Sequence, residues 1–232
     1  DLEALQDQKL VKRIYGGAIL ADPAEKLEQY ASRISESHAE KSLIGQAAAK
    51  LINTGETILL DIGTTTLEIA RHIKHMNNIT VLTNSLPIMN ELAGSNINLF
   101  SLGGRVNPDE LSMFGKLTVD ALQNFFVDKA FIGAGGVTFN GGLSDYNSEE
   151  AQVRQFIINR ASQTILVADS NKFGINAFAV VCPLEKIDVI VSDDNLPKTF
   201  ADGIRERKIE LILAKSNPAE QAREVLENKL YK

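Results

Sequence analysis

Five short polar or glycine-rich clusters carry residues that could do chemistry, and each follows an apolar run: DIGTTT (61–66), TNS (83–85), LGGR (102–105), GAGG (133–136) and ADSNK (168–172). DIGTTT is the sharpest. It leaves a β-prone run and opens a helical stretch, TTLEIARHIKH. Gly63 permits close backbone approach, and the amides of Thr64, Thr65 and Thr66 stand free at a helix N-terminus with hydroxyls beside them. That is an anion cradle suited to phosphate. Threonine hydroxyls also cap helices without any ligand. Asp61 either accepts hydrogen bonds from sugar hydroxyls or holds its own turn. No Gly-Lys-Thr follows, so the loop is not a Walker A, and the absence of G-x-G-x-x-G after a strand argues against a nicotinamide dinucleotide.

The other clusters each admit two readings. Asn84 and Ser85 offer a donor and acceptors to a ligand, or cap the helix that follows Pro87. Gly103 and Gly104 allow a second close approach, with Arg105 as a phosphate fork or a solvated charge. Gly133, Gly135 and Gly136 keep a floor open beneath a ligand or simply make tight turns. Lys172 is the point charge of a site or an exposed lysine. Asp145, Glu149 and Glu150 complement a helix dipole, or one of them holds a sugar or acts as a base. His38, His72 and His75 have no metal spacing with a carboxylate partner, so neither a metal nor a cofactor is expected. The single cysteine, Cys182 in AVVCPL, excludes an intrachain disulfide framework and a multi-cysteine zinc site, and reads as a buried, inert thiol.

The elements that must position these loops follow from periodicity. Near-continuously apolar runs at 57–61, 79–83, 97–102, 129–133, 164–169, 188–193 and 209–214 predict strands buried on both faces. Helical stretches separate them at the spacing of β-α-β crossovers, which gives an α/β fold with a three-layer, parallel-rich sheet. Ser37 to Glu40 spells S-x-x-E, a capping box before a helix bearing Leu43, Ile44, Ala47, Ala48, Leu51 and Ile52 on one face. The glycine-rich stretch 134–147 reads as a hairpin or an excursion over the sheet. In an open parallel sheet the carboxyl ends of the strands line one crevice, the usual place for a small ligand.

Composition sets the outer bounds. The chain has 232 residues with 24 Lys and Arg against 30 Asp and Glu, an acidic balance that argues against wrapping nucleic acid by itself. Hydrophobic content of 44% is that of a globular protein, which excludes disorder over most of the chain. No apolar run approaches the roughly 18 to 20 residues of a membrane span. The opening DLEALQDQKL, without an initiator Met, reads as a cut inside a helix and points to a fragment. Leu2, Leu5 and Leu10 suit a helix end, and LVKRIYGGA then reads as strand and turn. Residues 21–37 are polar and helix-prone, as in a linker.

In order, RIYGGA, EKSLIGQAAAKLI, DIGTTTLEIA, TNS, LGGR…FG, KAFIGAGGV, SEEAQVRQ and ADSNKFG resemble the effector domain of DeoR-type transcriptional regulators. The resemblance runs from residue 1 to about 196. It implies a sheet similar to that of ribose-5-phosphate isomerase, glucosamine-6-phosphate deaminase and CoA transferases. It also implies a sensor of phosphorylated sugars behind an N-terminal winged helix-turn-helix. On that basis residues 1–19 are its remnant, 20–37 a linker helix and 38–232 the effector-binding domain of a cytoplasmic homo-oligomer that meets DNA only through its missing N-terminal part. Carried over by motif, the effector site uses Asp61, Gly63, Thr64, Thr65, Thr66, Asn84, Gly103, Gly104, Glu150 and Lys172. Ser85, Arg105, Gly133 and Gly135 join it from the strand-end argument. The family often has an Arg where this chain has Asn107, and Asn171 replaces a common Ser. The rival readings are a sugar-phosphate isomerase or deaminase of the same architecture and a scaffold that only oligomerises.

Overall fold

The computed structural model describes residues 11–14, 17–20, 30 and 32–215. The expected helix end over 1–10, most of the linker and the apolar tail AREVLENKLYK lie outside the described residues. Near the N-terminus β1 (Val11–Ile14) pairs antiparallel with β2 (Gly17–Leu20). Where the linker is described, Ser32 to Ser35 are helical and Tyr30 is buried.

All seven expected strands form, as β3 (Thr57–Leu60), β4 (Thr80–Thr83), β5 (Asn98–Ser101), β8 (Val127–Ile132), β11 (Ala161–Val167), β13 (Val189–Asp193) and β14 (Glu210–Ala214). They make one sheet in the order β14-β13-β11-β8-β3-β4-β5, with every pairing parallel. Successive side chains of a strand face opposite sides. Ile58 and Leu60 of β3 accordingly join a core with α1 (His38–Ala49), α2 (Thr64–Ile73) and α3 (Leu86–Leu92), while Leu59 joins the core on the other face. That second core holds α4 (Lys116–Leu122), α5 (Ser148–Ile158) and α6 (Lys198–Glu206). The three layers are thus helices, sheet, helices. Burial on both faces holds for the inner strands. It fails at both edge strands: β5 is mostly exposed, and β14 buries only Ala214.

Two smaller sheets were not resolved by periodicity. The hairpin of β6 (Arg105–Asn107) and β7 (Ser112–Phe114) follows β5. The glycine-rich excursion is the hairpin of β9 (Gly136–Thr138) and β10 (Gly142–Asp145), extended by β12 (Ala179–Cys182). Three-residue strands give too few alternations to show a period. Cys182 is buried in that second core, and burial pushes its thiol up to about 11, where a thiolate nucleophile is not available at neutral pH.

The capping box does not form. Ser37 takes a left-handed conformation at φ 50° and makes no side-chain cap bond. Its Oγ accepts instead from Asn171 Nδ2 at 3.2 Å. The chain needs that turn to swing from the linker into α1. The helix then buries Lys41, Ile44, Gly45 and Ala48 rather than the Leu43 and Ala47 edge. Gly45 is where α1 crosses α2, and a methyl there would sit 2.5 Å from Glu68 Cβ.

Candidate functional site

The chain enters the sheet at its middle, in β3, and moves outward through β4 to β5. It then returns to β8 beside β3 and moves outward the other way. The order therefore reverses between β3 and β8, and open parallel sheets bind ligands outside such a switch point. A cavity of about 550 Å³ opens there. Its floor is Ile62 and Gly63 after β3, Gly133 to Gly135 after β8, and Val167 to Asp169 with Asn171 and Lys172 after β11. These are the ends of three adjacent strands. The volume is in the ordinary range for small-molecule sites.

Gly63 starts α2 at φ 128°, a conformation closed to most L-residues. The first bond along α2 is Leu67 N to Gly63 O at 3.1 Å, so the amides of Thr64, Thr65 and Thr66 have no partner within the helix. All three residues line the cavity. The Thr66 hydroxyl is not free, because it donates to Gly63 O at 3.0 Å. At the facing loop a methyl on Gly135 would stand 3.0 Å from Asp145 Cα, so glycine keeps that wall back.

Charge of both signs lines the cavity: Arg33, Lys41, Arg154 and Lys172 against Glu36, Asp109, Glu110, Asp145 and Asp169. Lys41 is the most exceptional. It is 6% exposed, and its Nζ donates to the carbonyls of Arg33 and Glu36 at 2.6 Å each. Burial pushes its ammonium below the usual lysine range, with Asp169 pulling the other way. A buried cation whose direct hydrogen-bond partners are neutral carbonyls is under-compensated, and an incoming anion would relieve it.

Behind the floor lies a buried network. Asp61 accepts from Gly133 N at 3.2 Å and from Arg154 Nε at 2.5 Å. Arg154 also donates to Asp145. Burial disfavours the Arg154 charge, but Asp61 and Asp145 outweigh it and hold its pKa above the ordinary arginine value. Glu150, four residues earlier on α5, accepts from Ser112 Oγ at 2.5 Å and Asn107 Nδ2 at 3.3 Å. Burial pushes Glu150 up to about 7, against the hydrogen bond from Ser112 and the charge of Arg154.

That shift has a signed consequence. Above the ordinary carboxyl range the unfolded chain gives up this proton while the folded chain keeps it until about 7. Stability therefore falls as pH rises through that window and levels off above it. In Glu150→Gln this fall is absent. The variant should gain on the native protein by up to about 1.4 kcal/mol per pH unit between about pH 5 and about pH 7. Urea unfolding across that range checks it, and parallel curves for the two proteins contradict it.

Of the residues expected from the sequence, Gly63, Thr64, Thr65, Thr66, Gly133, Gly135 and Lys172 line the cavity, while Asp61, Asn84, Ser85, Gly103, Gly104, Arg105 and Glu150 do not. Asp61 and Glu150 sit behind the wall in the network just described. Asn84 donates to Met113 O at 2.9 Å, and Ser85 caps α3 by accepting from Ile88 N at 3.4 Å. A methyl on Gly104 would lie 2.7 Å from Phe114 O, and Gly103 O accepts from Thr118 Oγ1 at 2.7 Å. Gly104 therefore serves packing against α4 and β7, while Gly103 supplies a left-handed turn at φ 66°. Arg105 projects into solvent, pairs with Glu149 at 3.0 Å and covers the Phe114 ring. Asn107 lines the cavity and holds Glu150. Arg33, Lys41 and Arg154 were not singled out in the sequence, and Asp169 was marked only as part of the ADSNK cluster. No group of His, Cys, Asp or Glu among the described residues is arranged to hold a metal ion.

Comparison with known proteins gives the class of this domain. Residues 36–194 match the family model described as the DeoR C terminal sensor domain, a span that includes all three loops of the cavity floor. The chain belongs to the DeoR family of transcriptional regulators. It is 31% identical to the HTH-type transcriptional repressor GlcR of Bacillus subtilis (strain 168), over 94% of this chain and 84% of that protein. It is 30% identical to the HTH-type transcriptional regulator GolR of Listeria innocua, over 86% and 79% of the two chains. The glycerol-3-phosphate regulon repressor of Escherichia coli (strain K12) is 27% identical over 92% and 84%. The role of the family is regulatory rather than enzymatic. Among solved structures, ribose 5-phosphate isomerase A of Methanocaldococcus jannaschii aligns at TM-score 0.42 and 18% identity, over 57% of this chain and 53% of that one. The initiation factor eIF-2B of Pyrococcus horikoshii OT3 aligns at 0.45 and 19%, over 62% and 51%. The chain thus spans about half the length of these solved chains. Among the described residues no helix is long and apolar enough to cross a membrane.

Proposed function

We propose that the cavity binds a phosphorylated sugar and that its occupancy modulates DNA binding by the full-length regulator. The observation that carries this reading is the mixed lining. Free amides at the start of α2 together with Lys41 and Lys172 suit a phosphate, while the Asp145 and Asp169 carboxylates suit hydroxyls. An apolar ligand would strand all of these groups, and a bare anion would leave the carboxylates facing it. The regulon named for the Escherichia coli relative is that of a phosphorylated metabolite, which accords with the proposal.

The enzyme alternative needs a positioned base in the cavity. Asp145 is tied to Arg154, Glu149 is paired outside with Arg105, and Glu150 lies behind the wall. None stands as a free base over a bound sugar. In the proposed regulator the β1–β2 hairpin is the wing of an N-terminal winged helix-turn-helix, which makes the contact with DNA. The protein works in the cytoplasm as a homo-oligomer, and the linker after the hairpin carries the signal.

Isothermal titration with a panel of aldose and ketose phosphates, each beside its free sugar, tests the proposal. At least one phosphate should bind, and its free sugar should bind more weakly by about 10- to 100-fold, the worth of charge-assisted hydrogen bonds to the phosphate. A folded protein that binds none of them, or binds free and phosphorylated sugars equally, contradicts it.

A further inference from the structure

The linker is fastened across the cavity to a turn 77 residues away. Arg33 Nη1 donates to both carboxylate oxygens of Glu110 at 2.8 Å, and Nη2 donates to the carbonyl of Asp109 at 2.9 Å. Lys41 holds the same segment from beneath through the Arg33 and Glu36 carbonyls. Arg33, Glu36 and Lys41 line the cavity on the linker side, and Asp109 and Glu110 line it on the other. Each fastened segment ends in a left-handed non-glycine residue, Ser37 at φ 50° and Leu111 at φ 49°. Both ends of the clasp are therefore set by defined turns.

The strength of the clasp decides what it can do. The side chains of Arg33 and Glu110 are 36% and 28% exposed. An ion pair this open to water holds its ends together by no more than about fivefold. A guanidinium meeting a phosphate gains more, because the contact is bidentate and charge-assisted and a phosphate carries more negative charge than a single carboxylate. Arg33 already faces the space a ligand would fill, so carboxylate and ligand compete for one cation.

We propose that Arg33 is an exchangeable clasp. Without ligand it closes on Glu110 and pins the linker to the 108–111 turn. An anionic ligand takes over the guanidinium, Glu110 is released, and the linker is freed to move relative to that turn. The inference rests on the cavity being an anion site and adds how occupancy reaches the linker. Coupling of this kind is reciprocal: whatever weakens Glu110 must strengthen the ligand by the same factor. An ordinary structural salt bridge has no such reciprocity.

The test uses the full chain, inorganic phosphate as probe, and hydrogen exchange over residues 32–37 alongside calorimetry. Glu110→Gln should bind phosphate about three- to fivefold more tightly than the native protein, since it removes the competitor. Arg33→Gln should bind about tenfold more weakly, since it removes a charged donor. Glu110→Asp keeps the charge and should stay near the native affinity. Phosphate should raise exchange over 32–37 in the native protein, and Glu110→Gln should show that raised exchange without phosphate. If native protein binds phosphate but Glu110→Gln binds it no better, or exchange over 32–37 does not respond, the clasp is overturned and the site reading stands. If the native protein binds no inorganic phosphate, the clasp is overturned, and the site reading falls with it only if the sugar-phosphate panel also fails to bind.

Discussion

Arg154→Met is expected to lower the unfolding free energy by about 3–5 kcal/mol, the cost of removing one partner from a buried ion pair. Arg154 is 4% exposed and Asp61 1% exposed, so the substitution leaves the Asp61 carboxylate buried without its charge partner. The variant must either keep Asp61 charged in an apolar wall or protonate it, and protonation costs more as pH rises. The loss should therefore be larger at about pH 8 than at about pH 5, because the raised carboxyl pKa of the variant makes stability fall with pH. A second substitution, Asp61→Leu on the Arg154→Met background, should restore part of the loss, as apolar replacement of whole buried pairs commonly does. Urea unfolding of the single and double variants measures both effects. A single-variant loss under about 1 kcal/mol would mean that the network is not a structural element of the cavity wall.

The largest effect on binding is expected at Lys41. Lys41→Met should weaken a bound phosphate by about 10- to 100-fold, the range for a lost hydrogen bond to a charged group. Its pH dependence separates this from a packing defect. Burial holds the Lys41 ammonium below the usual lysine range, and a bound anion favours the charged form. Affinity in the native protein should therefore decline as pH rises toward the depressed lysine pKa, and Lys41→Met should lack that decline. Titration calorimetry at several pH values reads both. Equal affinities for the two proteins, or equal pH slopes, would remove Lys41 from the site. Lys172→Met offers a comparison, since Lys172 lines the same cavity from the loop after β11.

The seven parallel strands and the crevice at their carboxyl ends were legible because β13 and the C-terminal halves of β3, β8 and β11 are buried on both faces and leave near-continuous apolar runs. Which loops meet was not legible. Sheet order puts β5 at the edge, two strands from β3 and roughly 10 Å away, so LGGR closes over α4 instead of the cavity. Periodicity gives strands but not their order. Two of the missed residues did leave a signal. Lys41 shares the buried stripe of α1 with Ile44 and Ala48, and Arg154 shares that of α5 with Ala151 and Ile157. A charge in an apolar stripe is costly and marks a paired or functional group. Arg33 left none, since its partner Glu110 is 77 residues away. The capping box misled because S-x-x-E reports a local preference, and the turn from linker to α1 overrode it.

The reading of this sensor domain depends on three neighbouring strand ends gripping one anion. Amide chemical-shift mapping by nuclear magnetic resonance, titrating the tightest sugar phosphate from the panel, tests this most directly. The account predicts the largest shifts at Gly63 to Thr66, Gly133 to Gly135 and Asn171 to Lys172, with weaker ones at Ser37 to Lys41. Largest shifts at Asn84, Ser85 and Gly103 to Arg105, with the α2 amides unmoved, would contradict it.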